Sequence, residues 1–297
     1  MWFLLAIIAF FLLAIAVIVD KFLLSKTAIV PLSFAFYISF FGGLFCSFFI
    51  FFESHFYFPK EQLVAVILGG SSLFFGLYFM FIAISRSEVS KTNALIVSLI
   101  PVVVFLFSLI MSLEMVSLSK IIGVALIIVG GYLLSQVGLQ KTKLNKKTWF
   151  WILLSSLMLG LSNAFSKIAY DNLSFITAFV WLRWLTLIAG LLFVLFTNQW
   201  QQIFKTSRHS KQPWKPFIFG QLAGSLGVIF LQYAIKLGNV ILVTALNGVQ
   251  FFFVILLVYF LSKFHPQILK EDIRTKFISQ KIFWSIILFI GIMLILV

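Results

Sequence analysis

The chain of 297 residues is 62% hydrophobic and 18% aromatic, and only 10% of its residues are charged. A soluble domain is roughly half apolar with about a quarter charged, so this composition excludes a soluble enzyme, a secreted disulfide scaffold and a disordered chain. The net charge of +14 would suggest nucleic acid in a soluble protein; here it reads as basic loops on one face of a membrane, with no nucleic-acid partner.

A membrane helix needs about 20 mostly apolar residues. Ten stretches qualify: 2–23, 31–52, 62–84, 92–113, 117–137, 149–170, 175–196, 216–237, 239–262 and 281–297. The first has no basic start and too long an apolar run for a cleavable signal, so it reads as a retained span. The single cysteine, Cys46, lies inside the second and reads as a small packing residue. Pro101 interrupts the fourth, where it removes one backbone hydrogen bond and crowds the preceding turn. The longer polar connections are 139–147, 198–215 and 263–281, and the last contains QILKEDIRTKF, a candidate interfacial helix. The runs are continuously apolar rather than alternating, which excludes a barrel.

The chain repeats itself. Lys21 of AVIVDKFLL aligns with Lys167 of SNAFSKIAY, and at the same spacing Tyr37 faces Arg183. Further on, Gly69, Gly76, Ala83-Ile84 and Ala94-Leu95 align in order with Gly220, Gly227, Ala234-Ile235 and Ala245-Leu246. Gly130 then matches Gly291 once an insertion in the 263–281 connection is allowed. The units are 1–138 and 148–297, joined by the basic linker 139–147. Each has five spans, an odd number, so the second copy enters the membrane from the opposite side. The expected fold is an all-α membrane protein of ten transmembrane helices in two inverted five-helix repeats, an arrangement many secondary transporters use to alternate access to a central site.

In these features the chain resembles the drug/metabolite transporter superfamily, in its ten-helix EamA-type branch. The stretch FIAISRSEVSKTNALIVSLIPVVVFLFSLIMSLEMVSLSKIIGVALIIVGGYLL carries the resemblance through Pro101, Glu114, Gly123, Gly130 and Gly131. The second copy departs from the pattern, with Phe252 in place of the proline and His265 in place of the glutamate. The resemblance implies a carrier of small metabolites or drugs.

Several residues could do the work. Arg183 sits mid-span, where insertion costs about 2.5–3.5 kcal/mol. A cavity that attracts an anionic ligand would offset that cost, and so would a structural ion pair. Trp181 and Trp184 flank it and could stack on a substrate or on the guanidinium, or pack against lipid. Asn247 and Gln250 share a helix face at i, i+3, facing either ligand or a neighbouring helix. Asn163 shares a face with Lys167 and could line the cavity, while Lys167 is placed to pair with Asp171 at the interface. Asp20, the acidic residue deepest in a span, suits proton coupling or a local ion pair. Pro101 suits a gate hinge or shaped packing, and Tyr37, Tyr78, Ser98 and Gln232 are weaker cavity candidates. No HExxH, CxxC, GxSxG or Walker-A spacing appears. No enzyme activity, metal or cofactor is expected, and the driving force is a gradient rather than ATP.

Basic residues crowd the odd-numbered connections, Lys141, Lys143, Lys146 and Lys147 among them, while the other side holds Lys60, Lys120, Lys167 and Lys236. The positive-inside rule then puts both termini outside the cytoplasm, opposite to the arrangement the resemblance implies. The sequence reads as a multi-pass cell-membrane secondary transporter, an exporter in the first instance, of a small polar or amphipathic metabolite. Its partners are that small molecule and membrane lipid, and a monomer suffices. The rival reading is a flippase for a lipid or lipid-linked phosphate compound.

Overall fold

The structure, a computed structural model, describes residues 1–26, 30–111, 117–137, 144–201, 203, 214–264 and 275–296. Glu114, His265 and most of the candidate interfacial helix lie outside the described residues. Among the described residues there is no strand. The helices are α1 (Trp2–Lys26), α2 (Pro31–Cys46), α3 (Leu63–Arg86), α4 (Val89–Ile110), α5 (Leu118–Gln136), α6 (Lys146–Asn172) and α7 (Phe175–Thr197). They continue as α8 (Trp214–Leu237), α9 (Val240–Ala245), α10 (Asn247–Phe264) and α11 (Thr275–Leu296). Counting Val240–Phe264 as one span, nine are long and apolar enough to cross a bilayer, and α5 contributes a shorter apolar stretch, Leu118–Leu134. In hydrocarbon every backbone polar group must be satisfied within the segment, which is why continuous apolar runs become helices.

Local chemistry sets the helix starts. Pro31 opens α2, where its missing N–H costs nothing. Asn145 Oδ1 accepts from the Thr148 N–H at 2.7 Å, Ser174 Oγ from Thr177 at 3.2 Å, and Asn239 Oδ1 from Ile241 at 2.8 Å. Each satisfies an N–H left over at a helix N-terminus. Asn198 ends α7 in the left-handed region at φ 51°, a conformation Asn tolerates better than most side chains.

Two spans differ from continuous helices. The second tightens after Cys46 into a 3-10 turn, Ser47–Phe52, just beyond the Gly42-Gly43 pair, with the Ser47 hydroxyl bonded back to the Gly43 carbonyl at 3.1 Å. The ninth breaks at Leu246, between α9 and α10. Thr244 Oγ1 donates back to the Val240 carbonyl at 2.7 Å, a pattern that bends helices, and Gly248, a poor helix former, follows the break. So the second half, which lacks a counterpart of Pro101, carries an irregularity of its own. In the first half Pro101 lies inside an α4 that stays helical on both sides.

The bundle is apolar outside, and its apolar interior also holds small and polar residues. Phe51, Leu118 and Phe196 are largely exposed, as lipid contact allows, while Ser33, Ser98, Ser155 and Thr177 are buried. The buried hydroxyls join helices: Ser155 Oγ on α6 donates to the Gly76 carbonyl on α3 at 3.0 Å. α3 packs on α6 and α1 on α8; α5 packs on α11, and α4 meets α6 and α10. α3 and α7 approach closely enough that a Cβ on Gly70 would lie 2.7 Å from the Leu182 carbonyl oxygen.

Candidate functional site: a cavity holding Arg183 and Asp20

Between α1, α2, α3, α7 and α8 lies a cavity of about 170 Å³. Leu13, Leu73, Leu77, Met80, Phe81 and Phe49 give it apolar walls. Two charged residues line it: Asp20 from α1 and Arg183 from α7. Gln221 and Ser225 on α8 add polar groups. The site is therefore mostly hydrophobic with a few convergent polar groups, the usual make-up of a small-molecule site.

α7 brings Arg183 inward because Thr177, Ala178, Val180, Leu182 and Thr186 bury the same helix among its neighbours. The guanidinium lies over the Phe179 ring, 5.3 Å from its centre, so a phenylalanine one turn earlier supplies the cation–π contact. Among the described residues Arg183 makes no ion pair and no side-chain hydrogen bond. Asp20 is 6% exposed and is likewise not in an ion pair among the described residues. Opposite charges thus face one cavity without meeting. Its neighbour Lys21 turns away and donates to the Ile84 and Ser87 carbonyls at the end of α3, 2.7 Å each.

Beside this cavity is a smaller one of about 10 Å³, lined by Gly69, Ser162, Ser166, Tyr170 and Gln232 and sharing Leu73, Phe179 and Arg183 with the first. Arg183 therefore stands at the boundary of both.

The other expected site residues sit elsewhere. Trp181 Nε1 donates to the Tyr57 carbonyl at 3.0 Å, and Trp184 Nε1 to the Ser47 hydroxyl at 3.0 Å. The two indoles meet edge to face at 5.2 Å and pack with Phe56. They fasten the 47–58 segment, whose Phe49 does reach the cavity, onto α7 and do not line the cavity themselves. The Tyr37 hydroxyl donates to the Ile203 carbonyl at 3.2 Å. Asn247 and Gln250 are buried at the start of α10, next to the helix break, and Asn163 is buried on α6; none lines either cavity. Pro101 is buried in α4. Lys167 does pair with Asp171, at 2.8 Å.

Cys46 is more than a packing residue: it is buried, its thiol donates to the Gly43 carbonyl at 3.1 Å, and it lines the larger cavity. Tyr170, Ser162 and Ser166 were also not singled out by sequence reasoning. The sequence signal for them is faint, a hydroxyl at every fourth position of α6, and such residues are common at any membrane helix interface.

No curated protein matches the chain. A solved structure named only "Crystal structure of protein" is similar in fold, with a TM-score of 0.58 over 96% of this chain and 94% of that one, at 14% identity. Residues 1–136 match the EamA-like transporter family, whose members are membrane transporters. That match covers the first of the two five-span units read from the sequence, and the family it points to is part of the drug/metabolite transporter superfamily.

Proposed function

We propose that the protein is a gradient-driven secondary transporter, an exporter, that binds a small amphipathic metabolite in the Arg183–Asp20 cavity and alternates access to it. It uses neither ATP nor catalytic chemistry. The observation that carries this reading is a guanidinium without an ion-pair partner among the described residues, facing a mostly apolar cavity between membrane helices. An arginine held there without an ion-pair partner is costly, and a ligand with negative charge repays the cost. A cavity of about 170 Å³ favours a compact solute over a lipid-linked sugar.

Two five-helix units, 1–138 and 148–297, related by an inverted repeat would supply the exchange of states. Matched contacts support that relation. α3 packs on α6 as α1 packs on α8. Lys21 on α1 donates to the end of α3, and Lys167 on α6 donates to the Lys236 carbonyl at the end of α8, at 3.5 Å. In this reading Pro101 in α4 and the break before Asn247 in α10 act as the paired hinges, since α4 and α10 are in contact. Asp20 is the coupling carboxylate: it is buried, lines the cavity and, among the described residues, has no ion pair that would hold it charged. Both termini lie outside the cytoplasm.

The test is uptake into liposomes carrying the purified protein, screened against pooled metabolites with a proton gradient imposed. Solute movement that disappears in Arg183→Ala, with the helical circular dichroism spectrum unchanged, supports the reading. Movement unaffected by that substitution removes Arg183 from the site.

A further inference from the structure

The smaller cavity is built from donors. Arg183 offers five N–H groups, Tyr170, Ser162 and Ser166 offer hydroxyls, and no carboxylate lines it. Two of its polar atoms, Tyr170 Oη and Gln232 Oε1, are buried and have no hydrogen-bond partner among the described residues. Tyr170 is 1% exposed and Gln232 6%. Buried polar groups are almost always satisfied, so two orphans lining one pocket beside a cation without an ion-pair partner mark a place made for a polar guest.

Size narrows the guest. About 10 Å³ is room for roughly one oxygen atom. One oxygen of a carboxylate fills it; a phosphate could enter by one oxygen only, leaving its other charged oxygens against the mostly apolar walls of the larger cavity. The adjoining cavity of about 170 Å³ slightly exceeds the roughly 150 Å³ apolar cavity that accommodates benzene. Its walls of Leu, Met and Phe suit a ring or a short branched chain.

Resting on the reading of this cavity as the transport site, we propose that the substrate is a compact apolar monocarboxylate. One carboxylate oxygen enters the small pocket to accept from Tyr170 Oη and the Arg183 guanidinium, and the apolar body occupies the larger cavity. Gln232 reaches the same oxygen with its amide nitrogen after a half-turn about its terminal bond. The Phe179 ring under the guanidinium fixes the direction of its N–H groups. Asp20 faces the apolar body and takes no part in reading the head group.

The test is equilibrium dialysis of the full-length protein in detergent with radiolabelled phenylacetate, with 2-phenylethanol, 2-phenylethylamine and phenylphosphonate as competitors. Expected is saturable phenylacetate binding that the other three displace at least about tenfold more weakly. Tyr170→Phe, which keeps the ring and deletes only the unpartnered hydroxyl, should weaken phenylacetate about tenfold, the scale of one hydrogen bond to a charged group, and change 2-phenylethanol less than about twofold. Arg183→Gln should abolish the preference for the carboxylate. No phenylacetate binding at millimolar concentration, equal binding of all four probes, a preference for the amine or the phosphonate, or an unchanged Tyr170→Phe would each overturn the proposal. Transport of some other solute would then leave the transporter reading standing. Phenylacetate bound with this selectivity but never moved by any Arg183-dependent route would overturn the transporter reading and, with it, the assignment of the carboxylate as a transported substrate.

Discussion

The Arg183 guanidinium lies over the ring of Phe179, 5.3 Å from its centre and one helical turn back along α7. The pair divides two adjoining cavities, a larger one that is mostly apolar and a smaller one richer in hydroxyl and amide groups. Among the described residues the Arg183 charge has no ion-pair partner, and the proposal that it binds substrate predicts an exchange of stability for binding that can be measured.

We expect Arg183→Leu to raise the melting temperature of the purified protein while abolishing transport. Arginine at a span centre costs about 2.5–3.5 kcal/mol on insertion scales. Differential scanning fluorimetry beside liposome uptake reads both quantities. A lowered melting temperature would mean that Arg183 holds the bundle together.

Asp20→Asn separates coupling from binding. The amide keeps the shape of the side chain but cannot carry a proton on and off. Solute exchange across liposomes at equal pH should persist within about threefold, while accumulation driven by an imposed pH difference should vanish. Gradient-driven accumulation at the wild-type level in the variant would assign the coupling elsewhere.

Glu88 binds two lysines at one end of the bundle. Its Oε2 is 3.4 Å from Lys91 Nζ and 3.2 Å from Lys281 Nζ, and Lys281 also donates to Ser90 Oγ at 2.8 Å. Both lysines are almost completely buried. Glu88→Ala leaves two buried cations without their carboxylate, and breaking such a pair from one side costs about 3–5 kcal/mol. We expect a clear loss of thermal stability and of expressed protein, larger than for Lys167→Ala, whose partner Asp171 is half exposed.

Gly70 and Gly42 make a contrast. A Cβ on Gly70 would meet the Leu182 carbonyl oxygen at 2.7 Å and Leu185 Cβ at 2.7 Å, whereas one on Gly42 would meet nothing within 4 Å. Gly70→Ala should destabilise by about 1–3 kcal/mol through overpacking, and Gly42→Ala should be neutral or slightly stabilising in its helix. Thermal melts of the two variants side by side decide it.

A reporter domain fused after Val297 tests orientation. The proposed orientation, with the basic odd-numbered connections in the cytoplasm, predicts that a periplasm-active reporter works there and a cytoplasm-active one fails. The opposite pattern would reverse the orientation.

The spans were legible in the sequence because a bilayer imposes one rule, internal satisfaction of the backbone, over about 20 residues at a time. Hydropathy sums over that same length, and a mid-span arginine stands out by its cost alone. Helix irregularities were only half legible. Pro101 announces itself, while the break at Leu246 depends on a threonine bonding back and a glycine after it. The site was less legible still. Trp181 and Trp184 flank Arg183 in sequence, yet their N–H groups find partners in the 47–58 segment. Phe179, Cys46 and Tyr170, spread over three helices, reach the two cavities instead, joined by Gln232, which the sequence offered only as a weaker candidate. Sequence determined which segments enter the membrane and that one of them carries an expensive charge. Only the tertiary structure decided which faces of α1, α2, α6, α7 and α8 meet around that charge, because helix rotation is set by side-chain packing between segments far apart in the chain, and a single apolar run carries almost no record of it.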